Sequence, residues 1–213
     1  MLFIEYVWEI NVQYNYMTIY FLRHEERPND ITFLTELTQT GVKRSKQLGD
    51  RLKKLNITKI YCSPFLRTLQ TIKPFIKKNN LSVNVDYSIS ELYKHDIIPK
   101  ELSKSFIEKP DITVRHDWFD EFNISYDYTS IINNDKFIYP ESIPSIKKRI
   151  FNFADIRLKS KDELENILIC THHGVLTYLI PYLYPIINKN DEVLINYPMG
   201  GLSHFNNGNL SFI

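Results

Sequence analysis

The sequence predicts an α/β protein, a three-layer α/β/α sandwich whose central sheet is mainly parallel. Short apolar runs alternate with amphipathic helical segments, a pattern typical of a parallel sheet covered on both faces. Three of these runs, residues 18–22, 59–62 and 166–170, are each followed at once by a polar cluster. Because ligands of such folds bind outside the carboxyl ends of the strands, we expect the three clusters to converge on one site.

The first half of the chain contains two predicted helices and a further strand. After Thr40-Gly41, apolar residues at helical spacing predict one buried face, formed by Val42, Leu48, Leu52 and Leu55. Ser63 and Pro64 are suited to the N-cap and first turn of a second helix, which Pro74 should kink or end early. Residues 82–87 predict a third strand.

In the second half, helical spacing resumes after residues 140–142, and residues 175–183 predict another helix. Strands are expected at 192–196 and 202–213, the latter folded as a hairpin around Asn207-Gly208. The intervening segment, 91–139, has weak periodicity and many aromatic residues. It is long for a plain connection, so we expect a lid over the site, whose aromatic residues either pack the lid or stack on a substrate ring.

Composition narrows the classes of function. The chain has 213 residues, a length that fits a single hydrophobic core. Its formal net charge of +1 gives no overall electrostatic attraction to nucleic acid or to a membrane. Its two cysteines, Cys62 and Cys170, lie in apolar runs and are expected to be buried thiols of a reducing compartment. Neither a secretion signal nor a membrane span is found, so we predict a cytoplasmic protein.

The polar clusters contain the residue types needed to transfer a phosphoryl group. A neutral imidazole such as that of His24 can attack phosphorus and form a covalent phosphohistidine. Arginine binds phosphate oxygens bidentately and stays charged, and Arg23, Arg27 and Arg67 are the candidates here. His172 can add a further donor or cation. A carboxylic acid is then needed to protonate the leaving group.

Six segments, in order, resemble the histidine phosphatase superfamily (phosphoglycerate-mutase-like, branch 1), and the first is similar to its RHGER form. They are Thr18 to His24, residues 37–52, Tyr61 to Thr71, Ile89-Ser90-Glu91, Tyr139 to Ser142 with Arg149, and Cys170 to Val175. The resemblance implies the phosphoglycerate-mutase-like fold and a phosphatase domain over residues 17–213. It further implies that His24, Glu91 and His172 are catalytic, that Arg23, Arg27 and Arg67 bind phosphate, and that neither metal nor cofactor takes part. The implied partner is a small phosphorylated substrate or a phosphopeptide, and the oligomeric state is not predicted.

The sequence departs from the family at several positions. Glu25 and His173 replace small residues beside the two histidines, so an inactive phosphate-binding protein is one alternative to a phosphatase. The surroundings of Glu91 differ too, which leaves His95 and Asp96 as substitutes for the acid. Phosphoglycerate mutase is the other alternative. Residues 1–16 precede the family's usual start and are either an extra strand or arm, or the product of a start codon placed too far upstream.

Overall fold

The computed structural model describes residues 18–29, 31–94, 112, 115–133, 140–158, 165–184, 197–206 and 209–213. The N-terminal extension, the strand expected at 192–196, the turn at Asn207-Gly208 and the residues His95 and Asp96 lie outside these ranges. So does much of the segment predicted to be a lid.

Six strands form one sheet: β1 (Thr18–Arg23), β2 (Lys59–Cys62), β3 (Asn84–Val85), β4 (Asn166–Thr171), β5 (Leu202–Asn206) and β6 (Asn209–Phe212). Their order is β3-β2-β4-β1-β5-β6. The first four strands are parallel, whereas β5 runs antiparallel to β1 and forms the predicted hairpin with β6. Cys170 of β4 is in register with both Leu22 and Cys62, so β1, β2 and β4 end level at one edge of the sheet.

The described helices are α1 (Gln39–Leu52), α2 (Leu66–Asn79), α3 (His116–Glu121), α4 (Ile143–Phe153) and α5 (His173–Leu183). Buried apolar side chains cover both faces of the sheet. On one face, residues of α1 and α2 pack with Leu22 and Leu168, and on the other, residues of α4 and α5 pack with Phe21 and Ile169. The three-layer α/β/α prediction is therefore confirmed. No helix in the described part of the chain is both long and apolar enough to cross a membrane.

The start of α1 differs from its prediction in which face is buried. Val42 is exposed, while Gly41 is buried where a Cβ would overlap the carbonyl of Glu26. Thr38 is the N-cap and accepts a hydrogen bond from the Gly41 amide, and its own amide donates to the Glu26 carbonyl at 2.9 Å. The close approach at Gly41 therefore fixes the loop that follows β1 against α1.

The N-cap predicted for α2 was wrong, and the helix does not end early at Pro74. Its N-cap is Phe65 rather than Ser63, because the Ser63 hydroxyl is hydrogen-bonded to His172 instead. The helix also continues past Pro74 to Asn79. Buried Ile72 and Phe75 flank the proline, and this packing offsets the missing backbone hydrogen bond.

The third strand is shorter than predicted, since β3 ends at Val85 and a 3-10 turn follows at Tyr87–Ile89. The Asp86 carboxylate accepts from the Ser88 amide and turns the chain. In the segment predicted to be a lid, Trp118 stacks on Phe33 with ring centroids 5.7 Å apart, and both are buried in the core. Trp118 therefore favours the packing interpretation, as does buried Phe122, whereas Tyr126 is exposed.

Candidate active site

The polar clusters after β1, β2 and β4 meet at the carboxyl edge of the sheet. The amide of His24 donates to Thr171 O and the amide of Ser63 to Cys170 O, each at 3.0 Å. The sheet pairing thus continues one residue beyond β1 and β2, and it places the two loops beside the end of β4. The rings of His24 and His172 lie edge to face there, with centroids 5.3 Å apart.

The His24 imidazole is buried and held in one tautomer. Its Nδ1 lies 2.8 Å from the carbonyl oxygen of Glu25. A carbonyl only accepts, so Nδ1 carries the proton and donates it, which leaves the lone pair on Nε2. Burial lowers the pKa of His24 well below its usual range, and the charge of Arg67 lowers it further. The ring is therefore neutral near pH 7, as a nucleophile must be.

His172 lies between a hydroxyl and two charged groups. Its Nε2 is 2.8 Å from Ser63 Oγ, and its Nδ1 is 3.4 Å from both Arg67 Nη2 and Glu91 Oε2. Burial lowers the pKa of His172 well below its usual range, with Arg67 the next cause. Because a serine hydroxyl both donates and accepts, Ser63 is compatible with either tautomer of the ring. The sequence predicts that Ser63 begins one of the polar clusters and caps α2, but it does not indicate this contact with His172.

Arg67 and Arg23 bring positive charge to the histidines. Arg67 is buried, with its Nη1 donating to Thr32 O at 3.0 Å and its guanidinium carbon 4.4 Å from the centre of the Phe65 ring. Arg23 Nη1 donates to Tyr197 O at 2.5 Å. Among the described residues the buried Arg23 Nε has no hydrogen-bond partner, which is the condition expected of a donor reserved for an anion.

The third arginine predicted to bind phosphate, Arg27, is more peripheral. It is partly exposed, and its Nη1 donates to the carbonyl of Pro28 at 2.8 Å. Its charge nevertheless contributes to lowering the pKa of both His24 and His172. The structure therefore places Arg27 within electrostatic range of the two imidazoles.

Glu91 lies in the same cluster, despite its altered sequence surroundings. Its Oε2 is 3.8 Å from Arg67 Nη2, and its Oε1 accepts a hydrogen bond from the Leu92 amide at 3.0 Å. A Cβ on Gly174 would overlap Leu92 and lie 3.2 Å from Glu91 Oε1. The glycine at the start of α5 therefore allows the segment that carries Glu91 to approach this closely.

The residues that depart from the family lie beside the cluster. The Glu25 amide donates to Thr71 Oγ1, and its carboxylate packs against Gly200, whose φ is +71°. The charge of this carboxylate acts on buried Cys170, whose pKa is raised by burial, then by Cys62, and last by Glu25. The Glu25 carboxylate thus lies apart from the group formed by His24, Glu91 and His172.

The other departure, His173, is half-buried as the first residue of α5. Burial lowers its pKa, the charge of Arg23 lowers it further and Glu91 raises it, so the ring lies near both residues. Its buried Nδ1 has no hydrogen-bond partner among the described residues. His173 therefore adds a polar group at the rim of the site.

His24, Glu91 and His172 offer ligand atoms that all lie within 4.8 Å of one another. Such a group has the composition of a metal site, with two imidazoles and one carboxylate. However, the fixed positive charge of Arg67 lies 3.4 Å from one imidazole nitrogen and 3.8 Å from the carboxylate. This charge opposes a cation and favours an anion at the same place.

Comparisons with known proteins give a sequence family and several structures of similar fold. The sequence profile of the family described as "Histidine phosphatase superfamily (branch 1)" matches residues 19–192. No curated protein sequence matches the chain.

Among solved structures, an alpha-ribazole phosphatase from Shigella flexneri superposes with a TM-score of 0.60 at 20% identity, covering 92% of this chain and 95% of the other. The ecdysone phosphate phosphatase of the silkworm Bombyx mori gives 0.61 at 16% identity, with 92% of each chain covered. A phosphoserine phosphatase mutant from Entamoeba histolytica gives 0.55 at 16% identity, covering 92% and 94%. At these identities the likeness concerns the fold.

Proposed function

Because the chain belongs to branch 1 of the histidine phosphatase superfamily, we propose that it hydrolyses phosphate monoesters through a phosphohistidine formed on His24. The observation that carries this proposal is the fixed tautomer of His24. Its Nδ1–H is donated to Glu25 O, so Nε2 carries the lone pair of a neutral ring that lies within electrostatic range of Arg67, Arg23 and Arg27. A nucleophile held in this way attacks phosphorus in line without first losing a proton.

In the first step, His24 Nε2 forms a bond to phosphorus while the bond from phosphorus to the ester oxygen breaks. Arg67 and Arg23 hold the non-bridging oxygens, assisted by Arg27, and neutralise their charge as it shifts. Glu91 is the proton donor to the leaving oxygen, since its Oε2 lies 3.8 Å from Arg67 Nη2 and 3.4 Å from His172 Nδ1.

In the second step, Glu91 takes a proton from water, whose oxygen attacks phosphorus as the bond to Nε2 breaks. Phosphate and neutral His24 are restored, and Glu91 is again protonated. No step needs a metal ion, because the arginines supply the positive charge that a metal would otherwise bring. The phosphatases of similar fold act on unrelated phosphate esters, so the proposed substrate class stays at phosphate monoesters.

Steady-state hydrolysis of 4-nitrophenyl phosphate tests the proposal. His24→Ala should lower kcat/KM on the order of 10⁴-fold or more, as loss of a covalent nucleophile does. His116→Ala is the matched control, because His116 is exposed on α3, and it should retain full activity. Full activity of His24→Ala would contradict the proposal. Isomerisation of phosphoglycerate outpacing hydrolysis would instead favour a mutase.

A further inference from the structure

Arg149, on α4, is a buried arginine outside the catalytic cluster whose guanidinium is fully engaged. Nη1 donates to the carbonyls of Ser88 and Ser90 at 2.8 and 2.9 Å, and Nη2 donates to the carbonyl of Glu91 at 3.1 Å. Nε and Nη2 also donate to the two carboxylate oxygens of Glu141 at 2.7 and 2.9 Å. A guanidinium has five N–H groups, and these five bonds use all of them.

The hydrogen bonds of Arg149 and Glu141 reach both sides of Glu91. Arg149 binds the main-chain carbonyls of two residues that precede Glu91 and the carbonyl of Glu91 itself. The Glu141 amide donates to Tyr93 O at 2.7 Å, and the Tyr93 amide lies 3.3 Å from Glu141 Oε2. We call Arg149 and Glu141 together the acid clamp. It holds the main chain over a stretch, residues 88–93, in which the only regular structure is a 3-10 turn ending at Ile89.

We propose that the acid clamp is a positioning device for the proton donor, and that Arg149 acts on catalysis through Glu91. This inference rests on the proposed function. The Glu91 carboxylate accepts a hydrogen bond at Oε1 from its own neighbour, Leu92, while Oε2 has longer contacts, 3.4 Å to His172 and 3.8 Å to Arg67. The position of Oε2 near the leaving group therefore depends on where the main chain lies, and a displacement of about 1 Å costs on the order of 10²-fold in rate.

The geometry also separates Arg149 from the phosphate-binding arginines. Its charge is paired with Glu141, its partner in a buried ion pair. All its N–H groups are directed at protein acceptors, so none remains to bind a phosphate oxygen. Arg23 differs in this respect, because its buried Nε is left without a protein partner in the described structure.

The test compares two substrates that differ in their need for a proton donor. The leaving group of an alkyl phosphate is a strongly basic alkoxide, which needs a proton. The leaving group of 4-nitrophenyl phosphate is 4-nitrophenolate, which leaves without protonation. Arg149→Lys keeps the charge but cannot make five bonds, so kcat/KM should fall about 10²-fold for the alkyl phosphate and less than about 5-fold for the aryl phosphate. Glu91→Gln should show the same selectivity, and adding Arg149→Lys to it should not increase the selectivity further.

Arg157→Lys is the matched control, because Arg157 makes an exposed hydrogen bond to Thr129 O, and both activities should be kept. Glu141→Gln, which leaves Arg149 in place, should show the same selective loss if Arg149→Lys does not fold. Equal losses on both substrates would overturn the inference while leaving the proposed function intact. An inactive wild-type protein would overturn the proposed function and this inference with it.

Discussion

The two halves of the candidate site are built in different ways. His24, Ser63 and His172 each follow a parallel strand directly, and sheet hydrogen bonds that continue past β1 and β2 fix where their loops begin. Glu91 follows no strand. Its segment is held by side chains at and just before α4, those of Arg149 and Glu141, which come 58 and 50 positions later in the chain.

The position of the first half is fixed by the geometry of the strands. The position of the second half is fixed by contacts with side chains that are distant in the sequence. Parallel strands that end level bring their following residues together whatever the loops contain. The segment that carries Glu91 depends instead on one pair of side chains, Arg149 and Glu141. The strand-end residues together with Arg23 and Arg67 are proposed to bind phosphate, and we call them the phosphate-binding half. We therefore expect substitutions there to affect the chemistry more than the stability, and substitutions in the acid clamp to affect both.

The largest expected effect is in the phosphate-binding half. Arg67→Met removes the charge that lies between His172 and Glu91, and kcat/KM should fall on the order of 10⁴-fold. Arg44→Met is the control, since Arg44 forms an exposed ion pair with Glu26 and its removal should leave the kinetics unchanged. A loss below tenfold in Arg67→Met would show that the phosphate lies elsewhere.

The acid clamp should respond in stability. Arg149→Met leaves the Glu141 carboxylate buried and unpaired, which should lower the free energy of unfolding by about 3–5 kcal/mol. Arg115→Met removes an exposed pair with Asp117 and should cost less than about 1 kcal/mol. Chemical denaturation measures both. Similar losses of unfolding free energy in the two variants would mean that the acid clamp does not stabilise the fold more than an exposed ion pair does.

A smaller effect is expected where the His24 loop meets the chain before β5. Gly200 has a φ of +71° and donates its amide to His24 O, while its missing Cβ leaves room for the Glu25 carboxylate. Gly200→Ala should therefore lower the free energy of unfolding by about 2 kcal/mol. Gly49→Ala is the control, because its Cβ would meet Phe75 at an ordinary 3.5 Å inside α1, and it should be neutral or stabilising. Equal behaviour of the two variants would contradict this view of the loop.

The smallest change to the molecule, which alters no residue, is a change of pH. Burial lowers the pKa of His24 and His172 well below the usual 6.5, so the native state binds fewer protons than the unfolded state as the pH falls below that value. The free energy of unfolding should then decrease by up to about 1.4 kcal/mol per histidine for each pH unit. Imidazole NMR signals measure the protonation directly, and both rings should titrate well below pH 6.5. A ring that titrates at 6.5 or above would contradict the account.

The sequence predicts the phosphate-binding half well because its information is local. An apolar run followed by Arg23-His24, and another followed by His172, are sufficient to place these residues at one edge of a parallel sheet. The structure brings together all six residues singled out from the sequence, with Arg27 at the periphery. Their chemical roles stay predictions.

What the sequence could not provide depends on contacts between distant residues. The orientation of Glu25 follows from a pocket beside Gly200, 175 positions away, and no pattern near Glu25 indicates it. Ser63 was expected to cap α2 because Ser-Pro is a common helix start, yet its hydroxyl is taken by His172. The sequence identifies Arg149 as part of one of the six segments that resemble the family, but it does not indicate the contact between Arg149 and the carbonyl of Glu91.

The most direct test of the central claim is to trap the covalent intermediate during turnover. The wild-type protein is mixed rapidly with an aryl phosphate, quenched in alkali, in which phosphohistidine is stable, and digested for mass spectrometry. The account predicts one added phosphoryl group on the peptide that contains His24, localised to its ring, and none in His24→Ala. Steady turnover with no phosphorylated peptide, or with the group on His172 instead, would contradict it.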